Sequence, residues 1–404
     1  MKLDAPGNPH LTYCTNIHPG ESWPEVRVNI ERFVLAVRDH VTPRQRFGIG
    51  LRLSAEAAEA LARPGEVEAF RAFLDEHDLY VFTINGFPYG PFHGQPVKEE
   101  VYLPDWRSEA RLRYSDQLAT LLAALLPEEA GLEGSISTVP GAFRAHVLNE
   151  ADVADMTDKL ARHLATLHRL REETGKRISL ALEPEPCCYL ETVADTVAFF
   201  ERRLFAPKVV RDLAGRTGMS RGQSEDFLRH HLGVCFDACH MAVEFEPVDA
   251  ALQAFRDAGI RVVKIQISAG LRVHIARHDT RVLDALGAFA DPVYLHQVVE
   301  RRDGELRRYL DLPQALESAA RFGGAPREWR IHFHVPLFRE QLGPFDSTQP
   351  YVRELLDLVR HELVSQHLEV ETYTWDVLPE EHRREDLVTA VARELRWVME
   401  QIEP

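Results

Sequence analysis

The chain lacks the features that mark a membrane protein, an extracellular disulfide scaffold or a nucleic-acid binder. No apolar run approaches the roughly 18 residues that a membrane-spanning helix needs. The opening residues, MKLDAPGNPHLTYC, contain no apolar stretch of the signal-peptide kind. Cysteines are few: Cys14, Cys187, Cys188, Cys235 and Cys239 among 404 residues. Cys235 and Cys239 stand four apart without a second pair at zinc-ribbon spacing, which argues against a structural zinc site. Scarce thiols placed in or beside expected core strands fit a reducing compartment, so the cytoplasm is the expected location. Cations are outnumbered: 47 Lys and Arg against 63 Asp and Glu give a net charge of −16. An acidic surface repels a phosphate backbone, so a small molecule is expected as the partner and nucleic acid is not. Low-complexity tracts, internal repeats and interdomain linkers are missing too. What is present, 45% apolar and 9% aromatic residues, is enough for a large globular core.

The chain alternates between strand and helix patterns. Strands are expected at 11–16, 47–53, 79–85, 134–140, 178–186, 232–237, 262–268, 329–336 and 367–373. Helical patterns lie between them, near 24–41, 54–76, 107–125, 150–174, 190–204, 220–230 and 346–365, with a last one near 380–401. Continuous apolar runs such as Leu232-Gly233-Val234-Cys235-Phe236 read as strands buried on both faces, the signature of a parallel sheet. Eight such strands alternating with helices make a closed (β/α)8 TIM barrel, an α/β fold. Nine strands are one too many. Residues 293–299 and 306–310 flank Asp303-Gly304 as a hairpin, and the strand around His332 follows closely. We therefore expect one domain over 1–404. An insertion at about 270–330 would carry this hairpin and an accessory strand at His332–Val335, between the seventh and eighth barrel strands. The loop 86–94, rich in aromatics, Gly and Pro, reads as a rigid rim or lid.

Polar residues stand where apolar strands stop. Asp237 ends the sixth strand, with His240 one helical turn later. Glu183 (with Glu185) ends the fifth, and Glu371 (with Glu369) ends the last. His332 and His334 share one face of the accessory strand, and Lys264, Gln266 and Ser268 share one face of the seventh. A capping Asp followed by a helix His gives the same local pattern as a ligand pair, and a solvated loop acid the same pattern as Glu183. In a barrel, however, all strand ends open on one mouth. Two Glu, an Asp and one or two His there suit a single divalent ion, Mn, Zn, Co or Mg. Asn16, His18, Arg52, Asn85 and Tyr89 fall at the remaining strand ends and are candidates to orient a substrate. Arg52 suits a carboxylate or phosphate by bidentate pairing, and equally a surface salt bridge.

The motif GVCFDACH at 233–240 resembles the sixth-strand motif of the endonuclease IV and xylose isomerase-like barrel superfamily. Ala181-Leu182-Glu183 is similar to its fifth-strand Glu, and LEVET at 368–372 to its eighth-strand Glu. LTYCTNIHPGESW at 11–23, FGIGLRLS at 47–54, YVFTINGFPYG at 80–90 and VETYTWDVLP at 370–379 resemble the EboE family of metabolite-traffic proteins, over most of the chain. The resemblance implies Glu183, Asp237, His240 and Glu371 as metal ligands, with His332 or His334 standing in for a ligand pair. It implies that Glu183 and Glu371 also shuttle protons at adjacent substrate carbons while the metal stabilises an enediolate. The superfamily's seventh-strand His is absent. Lys264 and Gln266 take its place, Gln266 as a weaker ligand and Lys264 as a catalytic hydrogen-bond donor to a substrate oxygen. The implied activity is that of a metal-dependent sugar isomerase or epimerase. The alternatives are a non-catalytic metabolite-binding protein on the same scaffold, or a metal-dependent phosphoesterase. The last of these is disfavoured because Asn85 and Ser137 stand where the endonucleases carry further histidines.

Overall fold

The computed structural model describes residues 1–129, 131–277, 280–321, 325–383 and 385–403. Eight parallel strands form the barrel: β1 (His10–Tyr13), β2 (Phe47–Arg52), β3 (Leu79–Asn85), β4 (Gly134–Thr138), β5 (Ile178–Leu182), β6 (Leu232–Asp237), β7 (Arg261–Ile267) and, after an insertion, β14 (His367–Val370). Every described position of β1 to β6 and β14 is buried, because helices cover the outside and side chains fill the inside. The helices start where the sequence supplies caps. Ser54 accepts from the Ala57 amide at 3.0 Å, and Asn149 with Asp152 forms a capping box for Glu150–Thr174, which Gly175 ends in the left-handed conformation. The helix expected at 54–76 is two, Ala55–Leu61 and Glu66–Glu76, broken at Pro64-Gly65. Helices at Pro207–Thr217 and Val248–Asp257 were not anticipated.

The seam between β1 and β2 closes through two threonines, Thr15 Oγ1 accepting from the Arg52 amide at 2.9 Å. Thr12 Oγ1 donates to Gly48 O at 2.7 Å and accepts from the Gly50 amide at 3.0 Å, beside a parallel bridge from Cys14 to Gly50. Gly50 is glycine for a packing reason. A Cβ there would lie 2.6 Å from the Tyr13 carbonyl and collide with the Glu369 carboxylate. Barrel interiors are usually filled by branched apolar side chains. This one instead holds an ion pair, Lys264 Nζ to Glu369 Oε2 at 2.6 Å, with both side chains fully buried.

The insertion is larger than expected. A second, antiparallel sheet of six strands comprises β8 (Ala269–Ile275), β9 (Val298–Arg302), β10 (Glu305–Tyr309), β11 (Arg327–Val335), β12 (Gln341–Leu342) and β13 (Phe345–Ser347). The hairpin turns at Asp303-Gly304 and the strand carrying His332 is accessory, as the sequence implies. The unanticipated strand β8 leaves β7 with only Ser268 between them and pairs with β11. Pairing shifts register between Ile331 and Val335, so His332 and His334 sit in an irregular stretch that bends toward the barrel mouth. All five cysteines are unpaired thiols. Among the described residues, no helix is long and apolar enough to cross a membrane.

Candidate metal centre

Three carboxylates come from three barrel strand ends. Glu183 follows β5, Asp237 ends β6 and Glu371 follows β14. One oxygen of each lies within 4.8 Å of the others. Among the described residues, Asp237 and Glu371 are anchored through one oxygen, and Glu183 through neither. Asp237 Oδ1 accepts from the His240 amide (2.9 Å) and the Ser268 hydroxyl (2.8 Å), while its buried Oδ2 has no hydrogen-bond partner. Glu371 Oε1 accepts from Asn16 Nδ2 (2.8 Å) and Asn85 Nδ2 (2.9 Å). Glu183 Oε2 is buried and unpartnered. Burial, then the charges of Glu371 and Asp237, push the Glu183 pKa well above the carboxylate range, although Lys264 below pulls it back. Glu371 is raised in the same way by burial and by Asp237 and Glu369.

Three imidazoles face this set. His240 Nδ1 contacts Pro184 O at 3.0 Å, His332 Nδ1 contacts Gln297 Oε1 at 2.8 Å, and His334 Nδ1 contacts Glu371 O at 2.9 Å. A carbonyl oxygen only accepts, so each Nδ1 carries hydrogen and each neutral ring presents a lone pair at Nε2. Those lone pairs converge. His240 Nε2 and His332 Nε2 are 3.1 Å apart, and His334 Nε2 is buried without a partner. Two lone pairs at that distance repel unless a proton or cation lies between them. Burial and the neighbouring imidazoles push His332 well below the ordinary histidine value, and burial lowers His334 to about 4, so these two rings favour the neutral form. Two nitrogens bound to one tetrahedral zinc lie about 3.3 Å apart, close to the observed separation. Four overlapping donor sets meet the distance requirement: Glu183/Asp237/Glu371, Asp237/His240/His334, Glu185/His240/His332 and Cys239/His332/His334. Unsatisfied buried polar atoms cost about 1–3 kcal/mol each. A divalent cation held by Glu183, Asp237 and Glu371 would satisfy the buried Glu183 oxygen, and one held by Asp237, His240 and His334 would satisfy the His334 nitrogen, so the residues present fit a divalent ion.

A cavity of about 50 Å³ lies above these groups. Asn16, Asn85, Glu183, Glu185, His240, His332 and Glu371 form its polar floor. Phe87, Pro88 and Phe92 from the loop after β3, with Tyr294 and Tyr373, form an apolar roof. Clefts of about 510 and 620 Å³ open at the other end of the barrel, but their linings bring together no such donor set among the described residues.

The structure brings together Glu183, Asp237, His240, His332, His334 and Glu371, with Asn16 and Asn85 beside them. Both histidines of the accessory strand reach the centre. The seventh-strand candidates do not. Lys264 is turned down into its ion pair with Glu369 and donates to Ser137 Oγ at 3.2 Å, so it is not placed to meet a substrate. Gln266 Oε1 accepts from the Cys235 thiol at 3.1 Å and does not line the cavity. Three further substrate candidates are structural. Arg52 pairs with Glu21 at 2.7 Å and donates to Gly20 O and Gly90 O, so it forms a salt bridge, though a buried one and not the surface pair expected. His18 bonds Tyr13 OH at 2.9 Å and stacks on Phe33, and Tyr89 packs edge-on against Tyr114. Sequence reasoning missed Gln297, which fixes the His332 tautomer and bonds Tyr102, whose hydroxyl donates to Glu185 at 2.6 Å. Nothing local distinguishes Gln297 or Tyr102. Their role depends on the insertion folding back over the mouth.

No protein-family profile and no curated protein matches the chain. Solved structures of xylose isomerase-like barrels do. The chain is similar to a D-psicose 3-epimerase from Clostridium cellulolyticum H10 solved with D-tagatose, at 10% identity over 97% of each chain with a TM-score of 0.45. It is also similar to a xylose isomerase-like TIM barrel protein from Mycobacterium smegmatis solved with magnesium, at 11% identity over 98% of this chain and 96% of that one, TM-score 0.44. A third is the IolI protein with bound zinc, at 10% identity over 97% of this chain and 99% of that one, TM-score 0.43.

Proposed function

We propose that this chain is a divalent-metal-dependent isomerase or epimerase acting on a small keto or polyhydroxylated metabolite. The observation that carries the reading is the convergence of Glu183 and Glu371 on Asp237 from separate strand ends, with both glutamates held above the usual carboxylate range. When bound, a divalent ion (Mn, Zn, Co or Mg) supplies polarisation of substrate oxygens and of the charge that develops on them. Glu183, Asp237 and Glu371 would hold one such ion, with His334, His240 and His332 adjoining through Asp237. A carboxyl group whose pKa burial raises binds a proton more readily than an exposed one, which suits it to take and return one. Asn16 and Asn85 occupy Glu371 Oε1, which leaves Oε2 to take a proton from a substrate carbon. Glu183, with Oε2 given to the ion, would return one at a neighbouring carbon through its other oxygen. Phe92, Tyr294 and Tyr373 roof the floor and exclude bulk water from that exchange.

Membership of the EboE family is part of the proposal. Its support is that the resembling stretches supply Asn16, Gly50, Asn85, Phe87, Glu371 and Tyr373, all at or beneath the centre. So are a one-domain chain, a small-molecule partner without nucleic acid, and a cytoplasmic location. The test is solvent-proton exchange. A panel of ketoses and hydroxyketones is incubated with metal-loaded protein in D2O and deuterium incorporation is followed by NMR. Exchange by the wild type that Glu371→Gln abolishes, at unchanged circular dichroism, is expected. Exchange that persists in Glu371→Gln rules the assignment out.

One observation favours a second reading, a non-catalytic metabolite-binding protein: Lys264 and Gln266 leave the seventh strand without a group in the cavity. Metabolite binding with neither metal nor exchange would select it. A phosphoesterase needs two or more ions. Glu185, His240 and His332 form a donor set beside the carboxylates, so metal stoichiometry decides, and a value of one argues against it.

A further inference from the structure

On the far side of the helix that carries His240 lies a pocket of about 300 Å³ that the reading above does not use. Three arginines line it: Arg272 of β8, Arg301 of β9 and Arg330 of β11. Arg272 and Arg330 stand directly opposite each other across the strand pair, a like-charge placement that destabilises a sheet unless something compensates. Asp346 stands across from Arg272 on the other side, and Glu328 compensates for the rest only in part. It accepts from Arg272 Nε (2.9 Å), Arg330 Nε (2.9 Å) and Arg301 Nη2 (2.6 Å), so one carboxylate serves three guanidiniums. Arg330 also donates through Nη1 to Ala242 O at 2.7 Å. Both terminal nitrogens of Arg272, Nε and Nη1 of Arg301 and Nη2 of Arg330 make no hydrogen bond among the described residues. The guanidiniums of Arg330 and Arg301 stack on the Phe245 ring, 4.0 and 4.5 Å from its centroid. Phe245 itself has φ of 60°, in the left-handed region that a bulky residue seldom occupies. Strain of that kind persists where the surroundings enforce it, and here it sets an aromatic platform beneath two cations.

The opposite wall is the start of helix Gln349–His361, through Ser347, Thr348, Pro350 and Tyr351. A helix start favours negative charge. Tyr351 is 9% exposed, lines the pocket, and its hydroxyl has no hydrogen-bond partner. The lining also contains two acids. Glu246 accepts from the Val193 amide at 3.2 Å, and Glu354 lies on the exposed side of the helix.

We infer that this pocket is a binding site for a phosphate group, free or carried on a small metabolite, with Arg272, Arg301 and Arg330 pairing its oxygens and Tyr351 donating to it. Phosphate suits the site better than a carboxylate because three guanidiniums and a phenol offer donors from more directions than a planar, two-oxygen group can use. The site is separate from the metal centre but shares its supports, since β11 carries both Arg330 and the His332/His334 pair.

The test uses the full chain with chelator present, so that no ion at the barrel mouth contributes, and chloride holding ionic strength constant. Inorganic phosphate is titrated and followed by calorimetry and by the thermal midpoint, with acetate as the comparison anion. Phosphate is expected to bind and to raise the midpoint, and acetate to do neither. Arg272→Gln should weaken phosphate about tenfold, the loss of one charge-assisted pair. Tyr351→Phe should weaken it about threefold with the fold unchanged, because the hydroxyl it removes has no partner in the protein. If Arg272→Gln does not fold, Tyr351→Phe decides. No binding by wild type, full affinity in Tyr351→Phe, or equal binding of acetate each overturns the assignment.

Discussion

The carboxylate half and the imidazole half of the centre respond to the same burial in opposite senses. Burial raises Glu183 and Glu371 toward the protonated acid, and lowers His332 and His334 toward the neutral base. In both halves it suppresses charge. The halves are also built differently. The acids stand at the ends of barrel strands, whereas two of the three imidazoles arrive on an inserted sheet. The proposed divalent ion would reconcile them, because a cation favours the ionised acid on one half and the neutral imidazole on the other.

The largest break in that comparison comes from the residue both halves share. Asp237 belongs to the carboxylate set and to the set with His240 and His334. Asp237→Asn should remove the bound metal and lower turnover about 1000-fold or more, as several kcal/mol of charge stabilisation disappear. Elemental analysis beside the exchange assay checks this, and retained metal with retained turnover contradicts it.

The next acts on the acid half from below. Gly50→Ala drives a Cβ into Glu369 and toward the Tyr13 carbonyl. Its expected cost is about 3 kcal/mol, the upper range for overpacking a rigid interior. Urea unfolding measures it, and a loss under about 1 kcal/mol would mean that Glu369 can simply rotate away.

The imidazole half is probed through Gln297. Gln297→Leu leaves the His332 Nδ1 hydrogen without its acceptor and removes the donor to Tyr102. Metal affinity should fall about 10- to 100-fold, the usual effect of losing a partner that orients a ligand, while overall stability changes little. Competition with a chelator of known affinity reads the shift. Unchanged affinity would move the ion entirely onto the carboxylates.

The smallest effect concerns pH and sets the baseline away from the centre. Burial lowers His10 and His231 to about 4. Both lie at the opposite end of the barrel from the acids. The unfolded chain protonates such residues near 6.5 while the folded chain keeps them neutral down to about 4. Within that window the unfolded state binds more protons, so stability falls as the medium is acidified from about 6.5 toward 4. The buried acids raised above their usual range act in the opposite sense, so the histidine contribution is read as a difference: His231→Asn should lose less of its thermal midpoint between pH 7 and pH 5 than wild type does, both treated with chelator. Identical pH profiles would mean that this imidazole is already protonated in the fold.

The acid half was readable residue by residue because each acid ends a run of one strand. Leu232–Asp237 buries every position, and its polarity changes where the strand stops, so the local pattern already places Asp237 at the mouth. The imidazole half was readable only as two histidines on one face. That both reach the ion site follows from the register shift between Ile331 and Val335 and from the pairing of β11 with β8, a strand that runs on from β7 with one residue between and gives no boundary signal. The seventh strand shows the opposite failure. Alternation correctly put Lys264 and Gln266 on the inner face, but depth along the barrel axis is not encoded in alternation. Lys264 found Glu369 inside the barrel, and Gln266, in register with Asp237, found Cys235.

By itself the sequence determined the alternation of strand and helix, hence the parallel barrel, and the identity of the acids at its rim, because both follow from polarity along single elements. The tertiary structure alone decided which polar side chains share one space. Whether His334 meets Asp237, whether Arg52 faces a ligand or Glu21, and whether the loop after β3 roofs the mouth all depend on contacts between segments far apart in the chain. Those contacts are fixed by register, packing and the cost of burying an unpaired charge, none of which a local pattern contains.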